Sequence, residues 1–299
     1  MERSRNYACI DLGSNLCRML IGYKNEKHGV TVLKSLISQV KLGEDIYKNG
    51  FVKEEAIDRC VNFLKKCMKV AKNYKVRRIE SVVTAACRLA SNKKTLLHRI
   101  KNETGLSFRM INPDEEIYFS ALGCLDVMPY KDCYVIDMGG CSTEVGLFSK
   151  RNNRIYLQKW VSLPIGILKF QESGNEQHLT DDLKDIMKNF SDSQTEKLPL
   201  ILSKSGIMSN ISKHISQNSN VDPEVFHGKI ISNSRTEQIL DEIISKYKNE
   251  GLKNRNHSTY GSCKFMKDLL HTIQSTEAIV MSTKGLREGL LYKLCNNIY

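Results

Sequence analysis

The sequence predicts an α/β protein of two lobes, each a mixed β-sheet flanked by helices, on two observations. The first is an element that occurs twice. Tyr134 to Phe148 reads Tyr-Val-Ile-Asp-Met-Gly-Gly-Cys-Ser-Thr-Glu-Val-Gly-Leu-Phe, and Tyr7-Ala-Cys-Ile-Asp-Leu-Gly-Ser-Asn15, followed by Met19-Leu-Ile21, carries the same Ile-Asp-(Leu/Met)-Gly core 126 positions earlier. The second is the alternation of strand-patterned and helix-patterned segments along the rest of the chain.

In each copy apolar residues deliver an aspartate, Asp11 or Asp137, to the end of a strand, and glycine with small polar residues makes the turn. Gly139 and Gly140 are expected to take backbone angles open only to glycine. Glycines admit backbone N–H groups close to an anion, the hydroxyls of Ser142 and Thr143 add donors, and Asp137 and Glu144 can hold a divalent cation against phosphate oxygens. An ordinary hairpin with a Gly-Gly turn shows the same pattern. Its repetition points instead to two lobes clamping one phosphate chain from opposite sides.

The elements follow in order. Val30–Leu33 and Leu36–Leu42 continue the β pattern, and residues 53–74 read as a helix with Ile57, Val61, Leu64, Met68 and Ala71 on one stripe. Lys65, Lys66, Lys69, Lys72 and Lys75 fit its solvated face. Arg78–Thr84 is a strand that brings Arg88 to a strand end, where a guanidinium can fork onto phosphate oxygens. A helix over about 93–104, capped by Ser91 or Asn92 and stopped by Gly105, leads to a strand at Ser107–Ile111. Asp114 is a natural cap for the next helix, and Glu115 and Glu116 sit in its first turn. Beyond the central hairpin come a strand at Arg154–Val161, amphipathic helices at 180–190, capped by Thr180, and 235–248, and a strand and glycine turn at Leu200–Gly206. A helix through Leu269–Ile273, a strand at Glu277–Val280 and a closing helix from Gly285 complete the chain; His271 is expected in a core or interface.

With 299 residues the chain is long enough for two domains, expected over 1–120 and 121–299 with a boundary near 117–127. Five prolines and no low-complexity run argue against long disordered linkers. No apolar run approaches the roughly 18 residues of a membrane span, and the N-terminus reads as a strand, so a soluble cytoplasmic protein is expected. The ten cysteines are scattered without Cys-x-x-Cys pairs, which favours reduced thiols over bridges or zinc ligands. The seven histidines show no metal-binding spacing. The net charge of +12 is uneven: residues 1–120 hold 23 basic and 13 acidic residues, the remainder 22 and 20. A basic lobe attracts a polyanion. No helix-turn-helix, zinc-finger or aromatic RNA-binding signature is present, so no stable nucleic-acid partner is expected.

Asp11-Leu-Gly-Ser-Asn15, Thr84-Ala-Ala-Cys-Arg88, Asp114-Glu-Glu116, Asp137-Met-Gly-Gly-Cys-Ser-Thr-Glu144 and Gly285-Leu-Arg-Glu-Gly289 together resemble the exopolyphosphatase and guanosine pentaphosphate phosphohydrolase (Ppx/GppA) family, over nearly the whole chain. The resemblance implies an actin-like, ribonuclease H-like fold with a cleft between its lobes. It also implies release of terminal orthophosphate from polyphosphate or guanosine pentaphosphate, with Mg²⁺ as cofactor. Carried onto this chain, Glu116 is the general base and Arg88 the phosphate-binding arginine. Ser14, Asn15, Gly139, Gly140, Ser142, Thr143, Ser205 and Gly206 bind substrate, and Asp137 and Glu144 hold the metal, with Asp11 shaping the first turn and touching it. A homodimer is compatible with the resemblance. The chain departs from the pattern at Cys141, usually a third glycine; at Ser203 and Ile207 in the later glycine loop; and at Tyr260-Gly-Ser-Cys263, where Pro-Gly is common. The alternatives are a non-hydrolytic sensor of guanosine tetra- or pentaphosphate and a small-molecule kinase of the same superfamily.

Overall fold

In a computed structural model of the chain, residues 5–25, 29–129, 131–152, 154–172, 187, 190, 196–249, 255–273 and 275–298 are described. The chain divides into two units, 1–123 with 286–299, and 124–285. In the first unit, strands β1 (Tyr7–Leu12), β2 (Leu16–Asn25), β3 (Gly29–Gln39), β4 (Arg78–Val83) and β5 (Arg109–Met110) form a sheet in the order β3-β2-β1-β4-β5. The β1–β2 and β2–β3 pairs are antiparallel, and the β1–β4 and β4–β5 pairs parallel. Its helical segments are α1 (Ile46–Asn49), α2 (Glu54–Asn73), α3 (Ala85–Leu89), α4 (Lys93–Thr104) and α5 (Pro113–Gly123).

The second unit repeats this plan. Its strands are β6 (Asp132–Met138), β7 (Thr143–Arg151), β8 (Arg154–Leu163), β9 (Leu198–Leu202), β10 (Ile230–Ser232) and β11 (Thr276–Met281), ordered β10-β11-β9-β6-β7-β8. From β8 to β11 the order and senses match the first sheet strand for strand, and β10 is added antiparallel at the far edge. Its helices are α6 (Ile167–Glu172), α7 (Gly206–Ser216), α8 (Asn233–Asn249) and α9 (Arg255–Thr272). The expected α/β architecture of mixed sheets flanked by helices is thus present in both units.

Alternation builds the cores. On one face of the first sheet Cys9, Leu20 and Val82 pack with Ile111, Phe119 and the apolar side of α10 (Leu286–Asn296). From the opposite side of β2, Cys17 lies beside Cys60 and Cys67 of α2. In the second unit Tyr134, Ile136, Met138, Val145 and Leu147 point into a core with Ile207, Ile211, Ile239, Met266 and Leu269; Met187 and Phe190 are buried there too. All ten cysteines are free and buried. Burial pushes the thiols of Cys60, Cys67, Cys133, Cys263 and Cys295 up to about 12, which suppresses the reactive thiolate at neutral pH.

Several local expectations change in three dimensions. The closing helix, expected in the second lobe, packs in the first unit because Gly289 lets it lie against α5: a Cβ there would stand 1.9 Å from the Phe119 carbonyl oxygen. Arg88 sits not at a strand end but in the one-turn helix α3. The strand at Ser107–Ile111 shrinks to two paired residues. Asn92 stands at the start of α4, yet its side chain binds Val52 N and O, at 3.0 and 2.8 Å, instead of capping. Pro113, whose ring presets a helical φ, starts α5 one residue early, so Asp114 lies inside the first turn rather than at the cap. Tyr260–Cys263 runs through α9, since no proline interrupts it. His271 is exposed and pairs with Glu237 at 3.3 Å, on the solvated side of the last turn of α9. The helix expected at 180–190 lies outside the described residues, apart from 187 and 190. Among the described residues no helix is long and apolar enough to cross a membrane.

The start and end of the second unit are tied together. The Cys124 thiol donates to the Lys284 carbonyl at 3.4 Å, and Lys284 and His227 both pair with Asp126. Burial of Asp126 raises its carboxyl, but the bonds from Lys284 and His227 outweigh this and hold it below the usual range.

Gly289→Ala is expected to cost at least about 1–3 kcal/mol through overpacking against the Phe119 carbonyl, read as a lowered midpoint in urea or thermal unfolding.

Candidate functional site

The two hairpins are geometrical copies. Leu12 pairs with Cys17 and Met138 with Thr143, so each turn spans four residues. Each is closed by the same bond, Gly13 N to Leu16 O at 3.0 Å and Gly139 N to Ser142 O at 2.9 Å. The first turn is braced from outside: Val40 N and Lys41 N donate to Asn15 O, and Gly43 N donates to Ser14 O at 2.7 Å. Asn15 Oδ1 accepts from Gln39 Nε2 at 3.2 Å, and Ser14 is buried.

The second turn is braced by backbone contact. Ile167 N and Leu168 N donate to the carbonyls of Gly139 and Gly140, and a Cβ at Gly166 would lie 2.4 Å from Gly140. Gly139 and Gly140 are not among the glycines with left-handed φ, which among the described residues are Gly29, Gly50, Gly105 and Gly228. Crowding rather than an unusual φ favours glycine at 139, where a Cβ would stand 3.1 Å from Ser142 O.

Position for position the copies differ in charge. Asp11 faces Arg18 across its hairpin and accepts from Arg18 Nη1 at 3.4 Å, so the first aspartate is held by a cation of its own strand pair. Asp137 faces Glu144. Directly opposed residues in an antiparallel ladder share a face, and like charges so placed repel. Glu144 is 1% exposed, and its Oε1 accepts from Ser162, its partner on β8, at 3.0 Å. Opposed carboxylates, Glu144 buried and Asp137 half-buried, with the Ser162 hydroxyl beside them are a donor set suited to a hard divalent cation. Among the described residues no group of three or more His, Cys, Asp and Glu side chains gathers as an all-protein metal cage.

The expected substrate-binding hydroxyls do different work. Thr143 is completely buried and donates to Ile165 O at 2.7 Å, a structural bond. Ser142 Oγ and Ser203 Oγ are buried with no hydrogen-bond partner among the described residues. Ser205 caps α7, its hydroxyl accepting from Met208 N at 3.4 Å, and Gly206 packs where a Cβ would stand 3.0 Å from Ile167. Ile207, one of the departures from the family pattern, is wholly buried in the second core.

In the first unit Arg88 and Glu116, 28 residues apart, meet. Arg88 Nη1 donates to Glu116 Oε2 at 2.8 Å and to Ile111 O at 3.0 Å. Glu116 is 7% exposed. Glu115 turns away, pairing with Arg109 at 2.5 Å and accepting from Asn112 N at 3.2 Å, the reach-back bond of a capping box. The adjacent glutamates are thereby separated into one buried against a guanidinium and one that closes the helix end. Sequence reasoning missed Ser162, which lies one residue beyond the expected strand at Arg154–Val161, because the sequence does not carry the register that sets it against Glu144.

Fold and site define a duplicated α/β protein with a glycine-turn hairpin in each half. The chain belongs to the Ppx/GppA phosphatase family, whose model matches residues 20–298. It is 28% identical over 315 residues to a bifunctional 3-dehydroquinate synthase/phosphatase of Fusobacterium nucleatum, covering 95% of this chain and 46% of that protein. It is 29% identical over 140 residues to a guanosine-5'-triphosphate,3'-diphosphate pyrophosphatase of Aliivibrio fischeri, covering 46% of this chain and 28% of that one. The chain thus spans less than half the length of these relatives. An exopolyphosphatase crystal structure from Cytophaga hutchinsonii superposes with a TM-score of 0.83 at 21% identity, covering 99% of both chains, which shows the shared fold.

Thr143→Val is expected to cost about 1–3 kcal/mol by leaving the Ile165 carbonyl unpaired. Ser142→Ala, which removes a buried hydroxyl that makes no hydrogen bond among the described residues, should not lower stability. Chemical denaturation of the two variants side by side separates the structural hydroxyl from the one available to a ligand.

Proposed function

We propose that the chain is a phosphoanhydride hydrolase releasing terminal orthophosphate from inorganic polyphosphate, from guanosine pentaphosphate, or from both. The observation that carries this reading is the 2.8 Å contact between Arg88 and Glu116, because it joins a buried carboxylate to a cation at a place the family motifs mark. The guanidinium fixes the carboxylate's orientation, and orientation is what a general base needs in order to take a proton from an attacking water. Arg88 also supplies positive charge for the oxygens of the transferred phosphoryl group. Ser142 offers a hydroxyl donor beside the second turn, and the backbone of Ser14, Asn15, Gly139 and Gly140 shapes the two turns that receive phosphates.

Asp137 and Glu144 are the residues that would hold Mg²⁺, either directly or through its retained waters; their like-charged opposition on one sheet face supports this. Bound there, the cation supplies charge neutralisation on phosphate oxygens. Asp11, paired with Arg18, is assigned to shaping the first turn.

Phosphate release measured in parallel on long-chain polyphosphate, guanosine pentaphosphate and GTP is expected from at least one of the first two. Glu116→Gln should lower it about 10²- to 10⁴-fold. Tight binding of guanosine polyphosphates without release from any substrate would replace the hydrolase with a sensor.

In the protein without substrate, Mg²⁺ at 100 times its Kd is expected to stabilise the fold by about 2.7 kcal/mol. Glu144→Gln should remove most of that gain. A Glu144→Gln protein that gains as much from Mg²⁺ as the parent would exclude this site.

A further inference from the structure

Trp160 is the single tryptophan of the chain and is 44% exposed, on the edge strand β8. Register decides which way it faces. Ser162 stands opposite Glu144 and Trp160 opposite Gly146, with no break in the pairing between them. Residues opposed across a ladder share a face, and so do residues two apart along a strand. Asp137, Glu144 and Ser162 therefore form one row across β6, β7 and β8, and Val135, Gly146 and Trp160 form the next row of the same face. Trp160 is the diagonal neighbour of Glu144, a separation of about 7–8 Å that an aromatic side chain spans.

Two further features single it out. The residue across from Trp160 is a glycine, so no side chain on β7 opposes the indole. The β7–β8 register also slips between Leu147 and Phe148, and beyond the slip Tyr156 pairs with Ser149, which stands opposite Asp132 on the other face. Gln158 follows Tyr156 to that side, bonding Ser149 and, at 3.3 Å, Asp132. The bulge thus turns the neighbouring exposed aromatic away and leaves Trp160 on the carboxylate face, an effect for which bulges near sites are known.

We propose that Trp160 is a stacking platform for a purine base, and that it makes the site select a nucleoside polyphosphate over bare inorganic polyphosphate. The proposal rests on the hydrolase reading for the position of the phosphates and adds the residue that chooses among their carriers. A bare phosphate chain is a hydrated polyanion with no π-face and gains nothing from an exposed indole. A purine attached to the same phosphates stacks on it, a contact sequence-tolerant among bases and of a size to decide specificity.

As the only tryptophan, Trp160 reports on its own contact without a label. With the full chain, Mg²⁺ present and Glu116→Gln to stop turnover, guanosine pentaphosphate and GTP are expected to quench its fluorescence saturably after inner-filter correction. Polyphosphate at matched phosphate concentration should not. In steady-state assays of the otherwise unaltered protein, Trp160→Ala should shift the ratio of KM for guanosine pentaphosphate to KM for polyphosphate by about tenfold or more toward polyphosphate, and Trp160→Phe should restore most of it. Absence of quenching at nucleotide concentrations that saturate hydrolysis overturns the proposal, as does an equal effect of Trp160→Ala on both substrates. Hydrolysis of polyphosphate without nucleotide quenching sinks the platform and leaves the hydrolase. Quenching without hydrolysis of any substrate sinks the hydrolase and leaves the platform.

Discussion

The register of the β6–β7 hairpin is the constraint on which the second unit depends. Because side chains alternate, one register sends Tyr134, Ile136, Met138, Val145 and Leu147 into the core and sets Asp137 opposite Glu144 on the other face. A slip of one residue would exchange the two faces, setting the carboxylates among the apolar side chains of the core. The Gly139–Ser142 bond pins that register, and the absence of a Cβ at Gly166 lets the loop before α6 press on the turn. Stability and chemistry are therefore fixed by the same few backbone contacts.

The duplicated hairpins share backbone geometry but not chemistry. At equivalent positions one carries Arg18 and the other Glu144, which converts a neutral pair into an opposed pair of carboxylates. Opposed carboxylates, one of them buried, are an arrangement that a divalent cation favours. The first unit contributes differently, through Arg88 and Glu116. A half-buried guanidinium against a buried carboxylate is costly to break, so the pair holds both side chains in one geometry.

Where the family pattern is altered, the structure often gives a local reason. Ile207 fills the second core, and Tyr260–Cys263 continues a helix that proline would have ended. These substitutions exchange loop character for packed secondary structure, and they leave Arg88, Glu116, Asp137 and Glu144 in place.

By itself the sequence determined what is local or repeated. Apolar periodicity placed α2 and most of the strands, since alternation and three- to four-residue steps are properties of the chain alone. The Ile-Asp-(Leu/Met)-Gly repeat announced the duplication, and the grouped motifs announced the family. Tertiary structure decided what depends on partners distant in sequence. Only the ladder could show that Asp11 meets a cation while Asp137 meets a carboxylate, and only the fold could bring Arg88 to Glu116. Thr143 was drawn off to Ile165, and α10 to the first unit, by contacts no local pattern encodes. A side chain's role is set by what stands opposite it, and sequence spacing does not carry that information.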